Sequence, residues 1–142
     1  MAYLDNWLKG EKLSKVVERG VEMLKDVDFD TIAVRGTSGL MVGGALAARM
    51  KKDLIIVRKD TESAHSDNIV EGAGANQKIL IVDDFIESGA TMDDILEKTF
   101  THCIEPEYVG IFLYAETSRY RESYSVNQDE YKVWKIWRRA EL

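Results

Sequence analysis

The sequence predicts an α/β fold, a mostly parallel sheet flanked by helices, on two observations. Four short apolar runs, Thr31–Val34, Leu54–Val57, Ile79–Val82 and Tyr108–Leu113, have the length and composition of buried strands. Between them lie stretches whose apolar residues recur at helical spacing. Continuous apolar strands alternating with amphipathic helices are buried on both faces, which is the condition of a parallel sheet.

Each element follows from local pattern. Glu11–Lys25 is expected as the first helix, with Leu13, Val16, Val17, Val21 and Leu24 on one stripe. A polar break, Asp26–Asp30, precedes the first strand, which the glycines at 36 and 39 end. Leu40–Met50 is expected as the second helix, its Gly43-Gly44 pair permitting close packing against a sheet. After the second strand, residues 59–77 are polar and lack periodicity, so a long functional loop is expected there. Thr91–Thr101 follows the third strand as a helix with Met92, Ile95, Leu96 and Phe100 on one face. Past Glu116 the rhythm breaks. The stretch is charged and aromatic, and Tyr131-Lys132-Val133-Trp134 alternates like an edge strand. Neither a repeat nor a low-complexity linker interrupts the 142 residues, so one domain is expected over 1–142.

Composition limits the functions. A formal charge of −6 argues against nucleic acid as the main partner. It leaves room for a phosphate site made of backbone N–H groups at a helix N-terminus. No apolar run approaches the roughly 18–20 residues that span a bilayer, and no basic-then-apolar leader opens the chain, so a cytoplasmic protein is expected. One cysteine, Cys103, excludes an internal disulfide, and neither it nor His102 has a chemical partner in the sequence.

The chemistry concentrates in Ile79–Thr91. Ligands of an open parallel sheet bind outside the carboxyl ends of its strands, and Asp83 and Asp84 stand at such an end. Glu87, Ser88, Gly89, Ala90 and Thr91 then form a short turn into a helix, where N–H groups and the Ser88 and Thr91 hydroxyls can hold a phosphate monoester. Paired carboxylates suit sugar hydroxyls, or a Mg²⁺ ion reached through water.

This segment resembles the ribose-phosphate signature of the type I phosphoribosyltransferases: an apolar strand, two acids, two apolar residues and a small hydroxyl-rich loop. Phe85 is bulkier than the usual aliphatic, and Ala90 stands where a glycine is common. Arg35-Gly36-Thr37-Ser38-Gly39 resembles the family's pyrophosphate loop, and Arg58-Lys59 with His65 and Glu71-Gly72 resembles the mobile loop of orotate phosphoribosyltransferases. That loop has a lysine shortly before the histidine, where this chain holds Glu62, Ser63 and Ala64. The resemblance covers roughly residues 31–96.

The resemblance implies a type I phosphoribosyltransferase fold with a core over about 11–115 and a small C-terminal hood over 116–142. It implies 5-phosphoribosyl-1-pyrophosphate (PRPP) and a nucleobase as substrates, Mg²⁺ as cofactor and a homodimer. Asp83 and Asp84 would meet ribose hydroxyls and, through water, the metal. Glu87–Thr91 would hold the 5′-phosphate, and Arg35, Gly36, Thr37, Ser38, Arg58 and Lys59 the pyrophosphate. A carboxylate at Glu87 points to a 6-oxopurine, with Glu87 as general base, against the plainer reading of a solvated loop acid. The tail is similar to the hood of bacterial xanthine–guanine phosphoribosyltransferases, in which a tryptophan stacks on the purine. Trp134 or Trp137 would fill that role here, unless they pack on the sheet or a partner subunit. Transfer to orotate or another base, and a non-catalytic PRPP- or nucleotide-binding regulatory module, remain as alternatives.

Overall fold

The computed structural model describes residues 3–59, 69–115 and 122–135. After a 3-10 turn at Tyr3–Asp5, the elements run α1 Gly10–Leu24, β1 Thr31–Arg35, α2 Gly36–Met50, β2 Asp53–Val57 and β3 Val70–Glu71. They continue with β4 Lys78–Asp83, α3 Ala90–His102, β5 Glu107–Leu113, β6 Ser123–Val126 and β7 Asp129–Lys135. All seven strands form one sheet, in the order β3-β2-β1-β4-β5-β7-β6. The β2, β1, β4, β5 and β7 strands run parallel, and antiparallel β3 and β6 close the two edges. The expected mostly parallel sheet flanked by helices is what the chain adopts.

The strand runs are buried as their composition requires. Ile32, Val34, Leu80, Val82, Phe112 and Tyr114 pack on one face beneath Val16, Val17 and Leu24 of α1 and Val42 and Leu46 of α2. Ala33, Ile55, Ile79, Ile81, Ile111 and Leu113 pack on the other face with Met92 and Ile95 of α3. A β-carbon on Gly43 would overlap Val34 Cγ1, so this glycine lets α2 lie close on β1.

Four expectations change in detail. The second helix begins at Gly36 rather than near Leu40, so the expected loop after β1 is the first turn of α2. The buried stripe of α3 runs Met92, Ile95, Thr99, and Phe100 is 71% exposed. Thr99 is accommodated because its hydroxyl donates to the Ile95 carbonyl at 2.6 Å and meets the Tyr108 hydroxyl at 2.7 Å. Within the expected loop, Val70 and Glu71 pair with Val57 and Ile56.

The fourth change concerns the tail. Residues 122–135 add a hairpin to the sheet, with β7 inside it between β5 and β6. Asn127 and Gln128, both at positive φ, make the tight turn. Among the described residues, no helix is long and apolar enough to cross a membrane.

Candidate active site

The connection from β1 through α2 leads to β2 on one side, and β4 leads through α3 to β5 on the other. Between β1 and β4 the winding reverses. The chain leaves both carboxyl ends in opposite directions there, and a crevice opens. A cavity of about 370 Å³ occupies it, lined by Arg35–Ser38 from the first crossover and Asp83–Met92 from the second. Lys59, beyond the end of β2, and Leu4 of the N-terminal turn complete the wall.

Both crossovers enter helices directly. The N-terminus of α2 opens at Gly36 and that of α3 at Ala90, so first-turn N–H groups of both helices border one cavity. Gly89, the residue before α3, has φ +87°. A β-carbon there would sit 2.5 Å from the hydroxyl oxygen of Tyr124, so the edge strand β6 backs the turn. Lys59 lies over Gly36, its Cε 3.2 Å from where a β-carbon would be. These features give the cavity two anion-receiving corners, the first of them with a lysine above it.

Asp83 and Asp84 lie between the corners. Asp83 is buried, and the Ser38 hydroxyl donates to its Oδ1 at a long 3.5 Å. Burial, with the adjacent Asp84 carboxylate second, pushes the Asp83 carboxyl up to about 8. Asp84 accepts from the Phe85 N–H at 2.8 Å. The carbonyls of the pair receive the N–H groups of Tyr114 and Ala115, which fixes the turn to the end of β5. A buried carboxyl beside a second carboxylate favours a cation next to it. Among the described residues, no group of three or more histidine, cysteine or acidic side chains could chelate one. The pair therefore fits a cation whose other positions are filled by ligand oxygens and water.

Of the residues expected at the site, Arg35, Gly36, Thr37, Ser38, Lys59, Asp83, Asp84, Glu87, Ser88, Gly89, Ala90 and Thr91 line this one cavity. Glu87 and Ser88 are on its exposed lip. Two expected residues are elsewhere. Arg58 is turned to Glu71, with Nε 3.1 Å and Nη2 2.9 Å from the same carboxylate oxygen, and does not line the cavity. Trp134 packs with the α1–α2 side of the core, its ring over Gly110 and 5.0 Å from Lys132 Nζ. Its strand is drawn into the sheet by pairing with β5, which takes the indole away from the cavity wall. His65 and Trp137 lie outside the described residues.

Sequence reasoning missed Leu4, Phe85, Ile86 and Met92 as lining residues. It also missed Tyr114, whose buried hydroxyl donates to the Ser38 carbonyl at 2.8 Å. Trp7 lies edge-on to that tyrosine at 5.3 Å, so the segment before α1 packs on the domain.

No protein-family model matches the chain. It is 30% identical over 87 residues to an orotate phosphoribosyltransferase of Sulfurisphaera tokodaii, covering 61% of this chain and 45% of that protein. It is 32% identical over 100 residues to an adenine phosphoribosyltransferase of Pseudothermotoga lettingae, covering 57% of this chain and 56% of the relative. The chain thus spans about half the length of these curated relatives. Among solved structures, an adenine phosphoribosyltransferase of Rhodothermus marinus superposes with TM-score 0.66 at 19% identity, over 90% of this chain and 80% of that one. Leishmania donovani UMP synthase superposes with TM-score 0.68 at 19% identity, over 94% of this chain and 28% of that one. The two sequence relatives and the Rhodothermus neighbour are phosphoribosyltransferases, and the fold of this chain is the type I phosphoribosyltransferase fold.

Proposed function

We propose that the chain binds PRPP across the β1–β4 crevice and transfers its phosphoribosyl group to a nucleobase. The observation that carries this is the pair of helix N-termini opening on one cavity with Asp83 and Asp84 between them. A ligand with a phosphate at each end and a sugar in the middle matches that order of donors and acceptors. The turn Glu87–Thr91 takes the 5′-phosphate, the acid pair takes the ribose hydroxyls, and Arg35–Ser38 with Lys59 takes the pyrophosphate.

In the transfer, a base nitrogen forms its bond to ribose C1 as the bond from C1 to the pyrophosphate oxygen breaks. Pyrophosphate departs with the electron pair, and the base nitrogen gives up its proton. Arg35 and Lys59 stabilise the leaving group, and firm binding of both ends holds C1 in line. Mg²⁺, where bound, would neutralise pyrophosphate charge, with Asp83 and Asp84 supporting it through water.

A 6-oxopurine as acceptor is supported by Glu87, a carboxylate on the lip that can accept the purine proton. That support rests on Glu87 alone, since Trp134 packs away from the cavity. Orotate is the second reading. It is favoured by the likeness to the Sulfurisphaera protein and by Arg58 and Glu71, two residues of the orotate-type loop pattern that meet as an ion pair. Release of pyrophosphate from PRPP and Mg²⁺ against guanine, hypoxanthine, xanthine, adenine, orotate and uracil tests both. Base-dependent release supports the enzyme and names the acceptor. No release with any base, while PRPP still binds by calorimetry, would replace transfer with a binding role.

A further inference from the structure

One carboxylate outside the cavity wall joins three of the elements that build it. Asp94 is on α3, one turn beyond Ala90, and does not line the cavity. Its Oδ2 is 2.6 Å from Arg35 Nε, and its Oδ1 is 3.2 Å from Lys98 Nζ. Lys98 Nζ in turn donates to the Arg58 carbonyl at 3.2 Å. The ends of β1 and β2 are thereby tied to the helix whose first turn forms the other corner of the cavity.

The Arg35–Asp94 contact is an ion pair by distance, but the Nε hydrogen misses the carboxylate, and neither atom has a hydrogen-bond partner among the described residues. Both side chains are about four-fifths covered, with 23% and 21% of their surface exposed, so solvent screens the pair less than a surface pair. The carboxylate lies against the Nε side of the guanidinium, and Arg35 itself lines the cavity. A guanidinium paired with a fixed carboxylate surrenders less rotamer freedom when it takes an anion.

We propose that Asp94 is a positioning residue that holds Arg35 ready for the pyrophosphate group, an inference that rests on the assignment of Arg35–Ser38 to pyrophosphate above. Asp94 touches no substrate and acts through the arginine. A purely structural ion pair would affect both anion corners of the cavity alike, whereas positioning of Arg35 affects one.

The test is calorimetric binding of inorganic pyrophosphate with Mg²⁺ and, separately, of ribose 5-phosphate. It uses the wild type, Asp94→Asn, Arg35→Gln, Arg35→Lys and the Asp94→Asn/Arg35→Gln double variant. Asp94→Asn is expected to weaken pyrophosphate roughly tenfold, the scale on which losing a supporting contact weakens the group it orients. Ribose 5-phosphate affinity stays unchanged. The double variant binds pyrophosphate no more weakly than Arg35→Gln, because the carboxylate acts only through the arginine. Arg35→Lys, which keeps the charge but lacks the guanidinium that Asp94 pairs with, also loses pyrophosphate affinity and serves if Asp94→Asn does not fold. Unchanged or tighter pyrophosphate binding in Asp94→Asn or Arg35→Lys overturns the proposal, as does equal weakening of both ligands. A wild type that binds neither ligand overturns the reading of the cavity as well, which separates the two failures.

Discussion

The hydroxyl of Tyr114 donates a 2.8 Å hydrogen bond to the carbonyl oxygen of Ser38. One residue is fully buried just past β5, and the other is in the first turn of α2, on the cavity wall. The bond fixes the first turn of α2 to the far side of the crevice. Tyr114→Phe keeps the ring and removes the bond, at an expected cost of about 1 kcal/mol in stability. Urea unfolding of the two proteins measures it, and an unchanged midpoint would show that the bond contributes nothing net.

The elevated Asp83 carboxyl predicts a pH dependence. Its folded value of about 8 lies above the ordinary carboxylate value of 3.8. Between these values the folded state keeps a proton that the unfolded state has lost, so the ligand-free protein loses stability as pH rises from about 4 to about 8. Asp83→Asn removes the titrating group. Its stability should fall less steeply over that window and exceed wild type at pH 8. Denaturant midpoints at pH 5 and pH 8 check this, and parallel profiles in the two proteins would count against it.

Glu87 has a kinetic signature if it accepts the base proton. Glu87→Gln should lower turnover by roughly 10²–10⁴-fold while leaving PRPP affinity nearly intact. Steady-state kinetics with the best acceptor, together with PRPP calorimetry, separate the two quantities. Turnover equal to wild type would return Glu87 to the role of a solvated lip residue.

Trp134 should behave as a packing residue. Removing its indole from over Gly110 in Trp134→Ala costs stability, about 3 kcal/mol for a large aromatic. The ranking of bases stays the same. A variant with unaltered stability and altered base preference would place the ring at the substrate after all.

The adjacent glycines of α2 should respond oppositely. Gly43→Ala drives a methyl into Val34 Cγ1 and is expected to lose about 1–3 kcal/mol. A β-carbon on Gly44 finds only Leu40 Cδ1, at 3.7 Å, so Gly44→Ala should gain about 0.5–1 kcal/mol from helix propensity. Thermal unfolding of both variants reads the two signs.

The strand and helix pattern was legible because burial on both faces leaves uninterrupted runs such as Ile79–Val82, and the acid pair marks where such a run meets the crevice. Twelve of the expected site residues meet in one cavity, eleven of them from the two turns flanking the switch point and Lys59 from beyond the end of β2. Arg58 was not legible. Its charge suits pyrophosphate, but Glu71 arrives on β3 and takes it, a pairing that depends on the antiparallel return of the chain. Nor was Trp134, since alternation in Tyr131–Trp134 signals a strand without saying which strand it will join. Tyr114 and Tyr124 reach the site from residues far along the chain, by contacts that no local pattern encodes.

The β1–β4 pairing has a consequence in time. The two corners of the cavity belong to crossovers far apart in the chain, and only the parallel register Thr31–Ile79 to Ala33–Ile81 brings their strands side by side. Parallel pairing of distant segments closes slowly, so neither turn is half a site while the sheet is open. The phosphorylated ligand proposed above would therefore have little to grip on the way to the native state. Its protection should appear as a slower departure from the native state, with the rate of arrival left as it was.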